Sequence, residues 1–427
     1  MKPKMSRVNR WLVGVGVVTL LTLTACVGSP SLGSLFNRRV TPAAPADVSP
    51  KVAAQLRDFD FVAQSLREAY LNADALDDKW QMTVDAERLK IAQGDGDEAR
   101  LVESLQKIIE ALDDEEVIIL PPAQSQPPSG GSGAYSGIGV LIDLPREGKD
   151  RLLVLAVYPD SPADRAGIKP HDAIIAIEGE PVTFAKRAEL IPKLRGEAGS
   201  KVTITVRTPG QPPRDLTLTR RPVEPRSPIR YKRLPDTNIG YIAPNPTQLS
   251  TMRADTANAL RELSADRNID GLVLDLRIIR GNEFPLDEML SLFANGPVGA
   301  VQTRSKKETI EIIGKSIAGS QEVPMAVLVS ELTSGQAEAF AGLLQDLGRA
   351  QIVGTKTSGQ VAQFATATLP SSRLRVQFPT ADYISVKNNS WRGRGVTPNI
   401  LSAAAWEDFT AEDDPHVQQA IHVLTAP

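Results

Sequence analysis

Few side chains in this 427-residue sequence are equipped for nucleophilic or metal chemistry, and the shortage is itself a constraint. The single cysteine, Cys26, excludes an intramolecular disulfide and a multi-cysteine zinc site. His171, His416 and His422 are too few and too scattered for a His-rich metal centre, so neither a metal nor a cofactor is expected. No histidine lies between positions 172 and 415, which removes the usual base of a serine–histidine triad from most of the C-terminal half. A serine nucleophile there would need another base within hydrogen-bond reach. Gly137-Ile138-Gly139-Val140 supports a different chemistry. Its glycines let backbone N–H groups face inward and cradle a carboxylate, and the strand that follows offers an edge for an added peptide.

The elements that must position these residues fall into blocks. At this length two or three domains are expected, and 41% apolar with 23% charged residues is the composition of a folded chain. A net charge of −3 with no lysine or arginine stripe argues against a nucleic-acid partner. Lys2, Lys4, Arg7 and Arg10 precede an apolar run from Trp11 to Leu23, then Leu23-Thr24-Ala25-Cys26, the order of a signal peptide. Residues 27–48 are rich in Gly, Ser, Pro and Ala, as a tether is. From Lys51 to Leu120 the spacing is helical: Leu56, Phe59, Val62, Ala63, Leu66 and Tyr70 recur at three and four, as do Leu101, Leu105, Ile108, Ile109 and Leu112. The run 121–133 is a linker.

Strands are expected at 137–142, 152–157, 173–177 and 202–206, with a short helix opened by Ser161-Pro162 and closed by Gly167. Arg220 to Pro228 reads as a connector. Beyond it, strands at 239–242, 271–276, 286–293, 326–329 and 351–353 alternate with helices at 250–265 and 336–347, a mostly parallel or mixed α/β pattern. Arg392 and Arg394 read as solvated turn charges, and Trp80, Trp391 and Trp406 as core or interface aromatics.

Three resemblances attach to these residues. Leu23-Thr-Ala-Cys26 resembles the bacterial lipobox, which implies cleavage and lipidation at Cys26; an uncleaved anchor or a plain secretory signal would equally place the chain outside the cytoplasm. Gly137-Ile-Gly-Val140 with the Asp160–Val182 segment resembles the PDZ domains of bacterial processing peptidases, with Ile138 and Val140 lining the pocket for a ligand's last side chain. At His171 that family has glycine, a turn that histidine tolerates. Asn238–Ile242, Gly271–Arg277, Leu344–Gly359 and Gly393–Ile400, with Leu112-Asp-Asp-Glu upstream, resemble the carboxyl-terminal processing peptidases of the S41 class in order and spacing, over roughly residues 50–402.

The S41 resemblance implies an N-terminal helical region, a PDZ domain and a crotonase-like mixed α/β core holding a Ser–Lys dyad. The serine would attack the peptide carbonyl, the buried lysine would take its proton, and backbone N–H groups would hold the oxyanion. Matched position by position, Gly335 stands where the nucleophile belongs and Gln360 where the lysine belongs. A glutamine amide is no proton acceptor near neutral pH. In the Asp275-Leu-Arg loop only Gly281 survives of two glycines, so the oxyanion region is reduced to Gly281 and Gln336. Ser334 is one residue early, which turns its side chain about 100° away on a helix. Lys356 reads as a solvated charge.

The expected layout is therefore a signal peptide at 1–25, tether at 26–48, helical region at 49–120, PDZ domain at 130–222, S41-like core at 228–404 and tail at 405–427. The expected activity is capture of extended or C-terminal segments of exported proteins at the cell envelope without cleavage, as adaptor, scaffold or regulator of an active peptidase, or in self-association. Two competing readings are a serine endopeptidase built on Ser334 and a structural envelope protein with a self-blocked groove.

Overall fold

The computed structural model describes residues 48–122, 135–143, 150–225, 228–402, 404–409 and 413–426. Cys26, the signal segment, the tether and most of the linker lie outside them. No helix among the described residues is long and apolar enough to cross a membrane.

The N-terminal region is three helices, α1 (Pro50–Ala69), α2 (Asp78–Ala92) and α3 (Glu98–Glu110), followed by strand β1 (Ile118–Leu120). Each helix starts at a side-chain cap: Ser49 accepts from Val52 N–H, Asp77 from Trp80 and Asp97 from Ala99. The apolar stripes read from the sequence meet, burying Leu56, Phe59, Leu66, Leu105 and Ile108. Trp80 is buried and donates its indole N–H to the Ile108 carbonyl at 2.9 Å.

The second block contains β2 (Tyr135–Gly137), β3 (Val140–Asp143), β4 (Leu152–Val157), α4 (Pro162–Arg165), β5 (Ala173–Ile177), β6 (Glu180–Pro181), α5 (Arg187–Leu190), β7 (Lys201–Arg207), β8 (Arg214–Thr219) and β9 (Arg221–Val223). Its sheet runs β3-β4-β5-β7-β8, with β6 on β5, so β3 is an end strand. β2 pairs with β9, so part of the expected connector is a strand. Leu152, Val154, Ile174, Ile177, Val202, Ile204 and Val206 fill one core, the alternation that period-2 patterning requires.

The third block follows with β10 (Arg230–Arg233), β11 (Ile239–Ala243), α6 (Met252–Leu263), β12 (Gly271–Asp275), α7 (Leu286–Phe293), β13 (Gly296–Thr303), β14 (Lys307–Ile312), β15 (Met325–Val329), α8 (Gln336–Asp346), β16 (Gln351–Gly354), β17 (Gln363–Thr368), β18 (Arg375–Ser385), β19 (Ile400–Leu401) and α9 (Pro415–Thr425). One sheet has the order β10-β11-β12-β15-β16-β19, parallel except for the β10–β11 pair. Its inner strands β11, β12 and β15 are buried along their whole length because helices cover both faces: α6, α7 and α8 on one, α9 on part of the other. The second sheet joins β1-β18-β13-β14 with β17 on β18.

Three expectations are corrected here. Residues 286–293, read as a strand, form helix α7; eight residues with six buried do not distinguish the two periods. The second sheet was not foreseen, because β14 is largely exposed and β17 only alternately buried. Arg392 is not a solvated turn charge. Its side chain is 16% exposed and pairs with Asp114 (2.7 Å) and Glu116, tying the helical region to the core. Trp391 and Trp406 are buried as expected, and a Cβ at Gly342 would meet the Trp391 ring at 2.3 Å.

Candidate functional site

Helix α8 begins where β15 ends, at the carboxyl edge of the parallel sheet, and its N-terminus carries the positions of interest. Gly335 caps it with φ 64° and ψ −138°, a conformation that costs L side chains heavily. A Cβ there would lie 2.2 Å from the Gly281 carbonyl oxygen and 2.9 Å from Asn282 Oδ1. The surrounding chain therefore leaves no room for any side chain at position 335 in this arrangement.

Backbone donors around Gly335 are engaged by the chain itself. Gly335 N–H donates to the Gln360 carbonyl (2.8 Å), Gln336 N–H to that of Gly281 (3.3 Å) and Ser334 N–H to that of Ile279 (3.3 Å). Gly281 N–H donates to Ser334 Oγ at 3.3 Å. The expected oxyanion remnant of Gly281 and Gln336 is thus brought together, with its donors turned onto internal acceptors. The Gln336 amide, oriented by its partners, donates to the Phe284 and Asn282 carbonyls and accepts from Tyr383 Oη, which closes the 281–284 loop over the helix.

Gln360 is held by a turn built on Glu338. That carboxylate is fully buried and accepts from Thr357, from Ser358 Oγ (3.0 Å) and from Gly359 N–H (2.8 Å). Burial raises its pKa, and these three donors offset part of the rise. Gln360 itself is exposed, as is Lys356. Ser334 does not turn away as the helical argument predicted, because it precedes the helix. It lines a polar cavity of about 470 Å³ with Arg280, Glu331, Leu332, Thr357, Ser358 and Gln360. Its hydroxyl oxygen accepts the Gly281 backbone N–H, and among the described residues no amine, imidazole or carboxylate is hydrogen-bonded to it.

Residues 238–402 match the model of peptidase family S41, and residues 153–208 match that of the PDZ domain. The core is thus similar to peptidase family S41 over residues 238–402, and residues 153–208 form a PDZ domain. It is 27% identical over 301 residues to a carboxyl-terminal-processing protease of Synechocystis, covering 69% of each chain. It is also 27% identical over 273 residues to a probable CtpA-like serine protease of Staphylococcus saprophyticus, covering 63% of this chain and 53% of that one, so the match spans about half of the staphylococcal relative. The fold is similar to that of a photosystem II D1 C-terminal processing protease, at TM-score 0.59 and 24% identity over 89% of this chain and 98% of that one. A Bacteroides fragilis protein described as a putative S41 protease gives TM-score 0.58 at 16% identity, over 86% and 97%.

The PDZ end strand lies beside the α8 region of this S41-like core: Asp143 of β3 pairs with Arg280 of the 277–282 loop at 3.3 Å. Gly139 has φ 85°, and a Cβ there would sit 2.1 Å from Ser161 Cβ, so only glycine fits. Gly137 differs. It lies in β2, paired with Arg221 and bridged to Arg195, and its lack of a side chain admits the Tyr135 ring. Ile138 is buried in the PDZ core and Val140 is half-buried at the start of the end strand. His171 does adopt a left-handed turn, with φ 78°.

Sequence reasoning missed one polar cluster. Arg277 donates to Asp275 (2.7 and 3.0 Å) and to Asp414 (2.7 and 3.1 Å), and Tyr241 Oη donates to Asp275 at 2.6 Å. Burial alone would push the Asp275 carboxyl up, but Arg277 and Tyr241 outweigh it and hold it well below the usual carboxylate range. His416 packs against Arg277, and burial with that positive charge lowers its imidazole to about 4. His171 stacks on Trp406 at 6.0 Å and lies 4.6 Å from the Phe409 ring, while Trp406 Nε1 donates to the His171 carbonyl at 3.1 Å. The tail segment thus joins the PDZ domain to the core. Its available signal was Asp414-Pro415, a helix cap placed before the final apolar period.

Proposed function

We propose that this S41-family protein captures extended or C-terminal polypeptide in its PDZ groove and holds it without cutting. The observation that carries the reading is Gly335: the position matched to the nucleophile has no side chain, and a Cβ there would lie 2.2 Å from the Gly281 carbonyl oxygen. Gln360 at the lysine position and the internally engaged amides of Gln336 and Gly281 support the same reading. Support for capture comes from Gly139 in its left-handed conformation and from β3 as an end strand able to accept a peptide strand. The Leu23–Cys26 segment supports a lipid-anchored place in the cell envelope, where the partners are segments of exported proteins and the role is that of an adaptor or scaffold, beside an active peptidase or a second copy.

The test is binding of a C-terminal peptide library to the full chain beside incubation with an unfolded protein. Binding that Val140→Lys removes, with the protein substrate left intact, is expected. A second reading, an endopeptidase using Ser334, is favoured only by the place of that hydroxyl in the cavity with Gln360. Labelling by a serine-reactive probe that Ser334→Ala abolishes would establish it.

A further inference from the structure

The α9-side face of the parallel sheet is only partly covered. Helix α9 packs on β12, β15 and β16, and one helix about 10 Å wide spans about two strands spaced at about 4.8 Å. The β10–β11 part of the face is left as the floor of a cavity of about 960 Å³, walled by α9 on one side and by β4 and the His171 turn of the PDZ domain on another. Arg230 and Lys232 pair across the strands with Ala243 and Tyr241, residues of the α9-side core, so both side chains stand on that floor.

Three observations say what the cavity takes. First, β10 is the end strand of its sheet and among the described residues pairs only with β11, which leaves its outer edge for another strand. Second, Lys169 and Arg230 line the cavity and have no carboxylate partner among the described residues, while Lys232 rests near the Tyr241 ring. Of the acidic residues there, Asp275 and Asp414 are paired with Arg277 and Asp172 with Arg214; Asp236 and Asp413 also line the cavity and oppose an acidic ligand. Third, His416 is 4% exposed and lines the cavity. Its Nδ1 faces the Arg277 guanidinium, a pure donor, which leaves the proton of the neutral ring on Nε2, and Nε2 has no hydrogen-bond partner among the described residues.

We infer that this junction cavity is a second polypeptide site, in which an acidic extended segment lies along the open edge of β10. The segment's backbone continues the sheet, its carboxylates meet Arg230, Lys232 and Lys169, and one carbonyl accepts from His416 Nε2–H. Leu332 lines both this cavity and the smaller one beside Gln360, so the two cavities adjoin at that side chain. The site is independent of the PDZ reading, since it uses a different sheet and needs no free C-terminus.

The probe is a fluorescent ten-residue peptide of alternating Glu and Val, blocked at both ends, against its Lys/Val counterpart, with the full chain at low and high salt. The acidic peptide is expected to bind at least about tenfold tighter, with the preference falling in high salt. Arg230→Glu with Lys232→Glu, both exposed, is expected to lose about tenfold or more, and Val140→Lys to change nothing. His416→Phe is expected to lose about threefold. Hydrogen exchange adds new protection at 230–233 and none at 140–143. Equal affinity for the two peptides, no binding, indifference to the charge reversal, or protection at 140–143 would each overturn the assignment.

Discussion

The PDZ end strand and the α8 cleft are neighbours joined by the Asp143–Arg280 pair, yet they have kept opposite things. At the PDZ edge, a glycine in a left-handed turn still opens the way to a strand with one unpaired side. At the cleft, a glycine in the same backbone region closes it, because Gly281 fills the space a side chain would need. Glycine thus leaves a strand edge open in one place and marks a position with no room for a side chain in the other, and only the neighbouring backbone distinguishes the two. A binding edge needs backbone donors alone, whereas a catalytic pair needs a nucleophile and a base in register.

The contrast can be strained at several points, taken from the largest expected effect downward. Gly335→Ser combined with Gln360→Lys is expected to lower stability by about 4 kcal/mol, from left-handed strain and overlap with Gly281, and to gain no turnover. Denaturant unfolding with a cleavage assay checks this; a stable double variant that cuts would show the cleft to be open. Next is the tail clasp. His416 has an ordinary value of 6.5 and a folded value of about 4, so its folded-state pKa is depressed. Its stabilising contribution is complete above about pH 6.5 and is lost as pH falls toward 4, amounting to about 3 kcal/mol at about 1.4 kcal/mol per pKa unit. Melting temperature against pH should fall across that window, with His171, also lowered by burial, acting in the same direction. His416→Phe should flatten the fall.

Val140→Lys puts a charge at the start of the PDZ end strand. It should weaken C-terminal peptide binding about tenfold, or about 1.4 kcal/mol, without shifting the melting temperature. The smallest effect is expected from Ser334→Ala, within about 0.5 kcal/mol in stability and without effect on binding, since its hydroxyl only accepts one loop amide.

Much of this was legible in the sequence. The helical stripe around Phe59 and Leu105, the PDZ strands and the β11, β12, β15 and β16 runs all carry a period that their burial enforces. The positions of Gly335 and Gln360 followed from matching spacing, and the structure adds the φ angle and the collision at Gly335. What escaped is long-range. Arg392 looked solvated because its partners, Asp114 and Glu116, lie far upstream. The Arg277 cluster draws Asp414 and His416 from the tail, and no local pattern links them. Ser334 was read as one residue early and turned aside on helix or strand alike, whereas in the structure it precedes the Gly335 cap and lines the cavity with Gln360.

The central claim is capture without cleavage, and one incubation tests it most directly. The full chain is mixed with a permanently unfolded protein, and the mixture is followed by mass spectrometry and co-sedimentation, beside Ser334→Ala and Val140→Lys. The expected result is an intact substrate that co-sediments with the parent protein and with Ser334→Ala but not with Val140→Lys. Fragments formed by the parent protein and absent with Ser334→Ala would contradict the account and make Ser334 the nucleophile of a working peptidase.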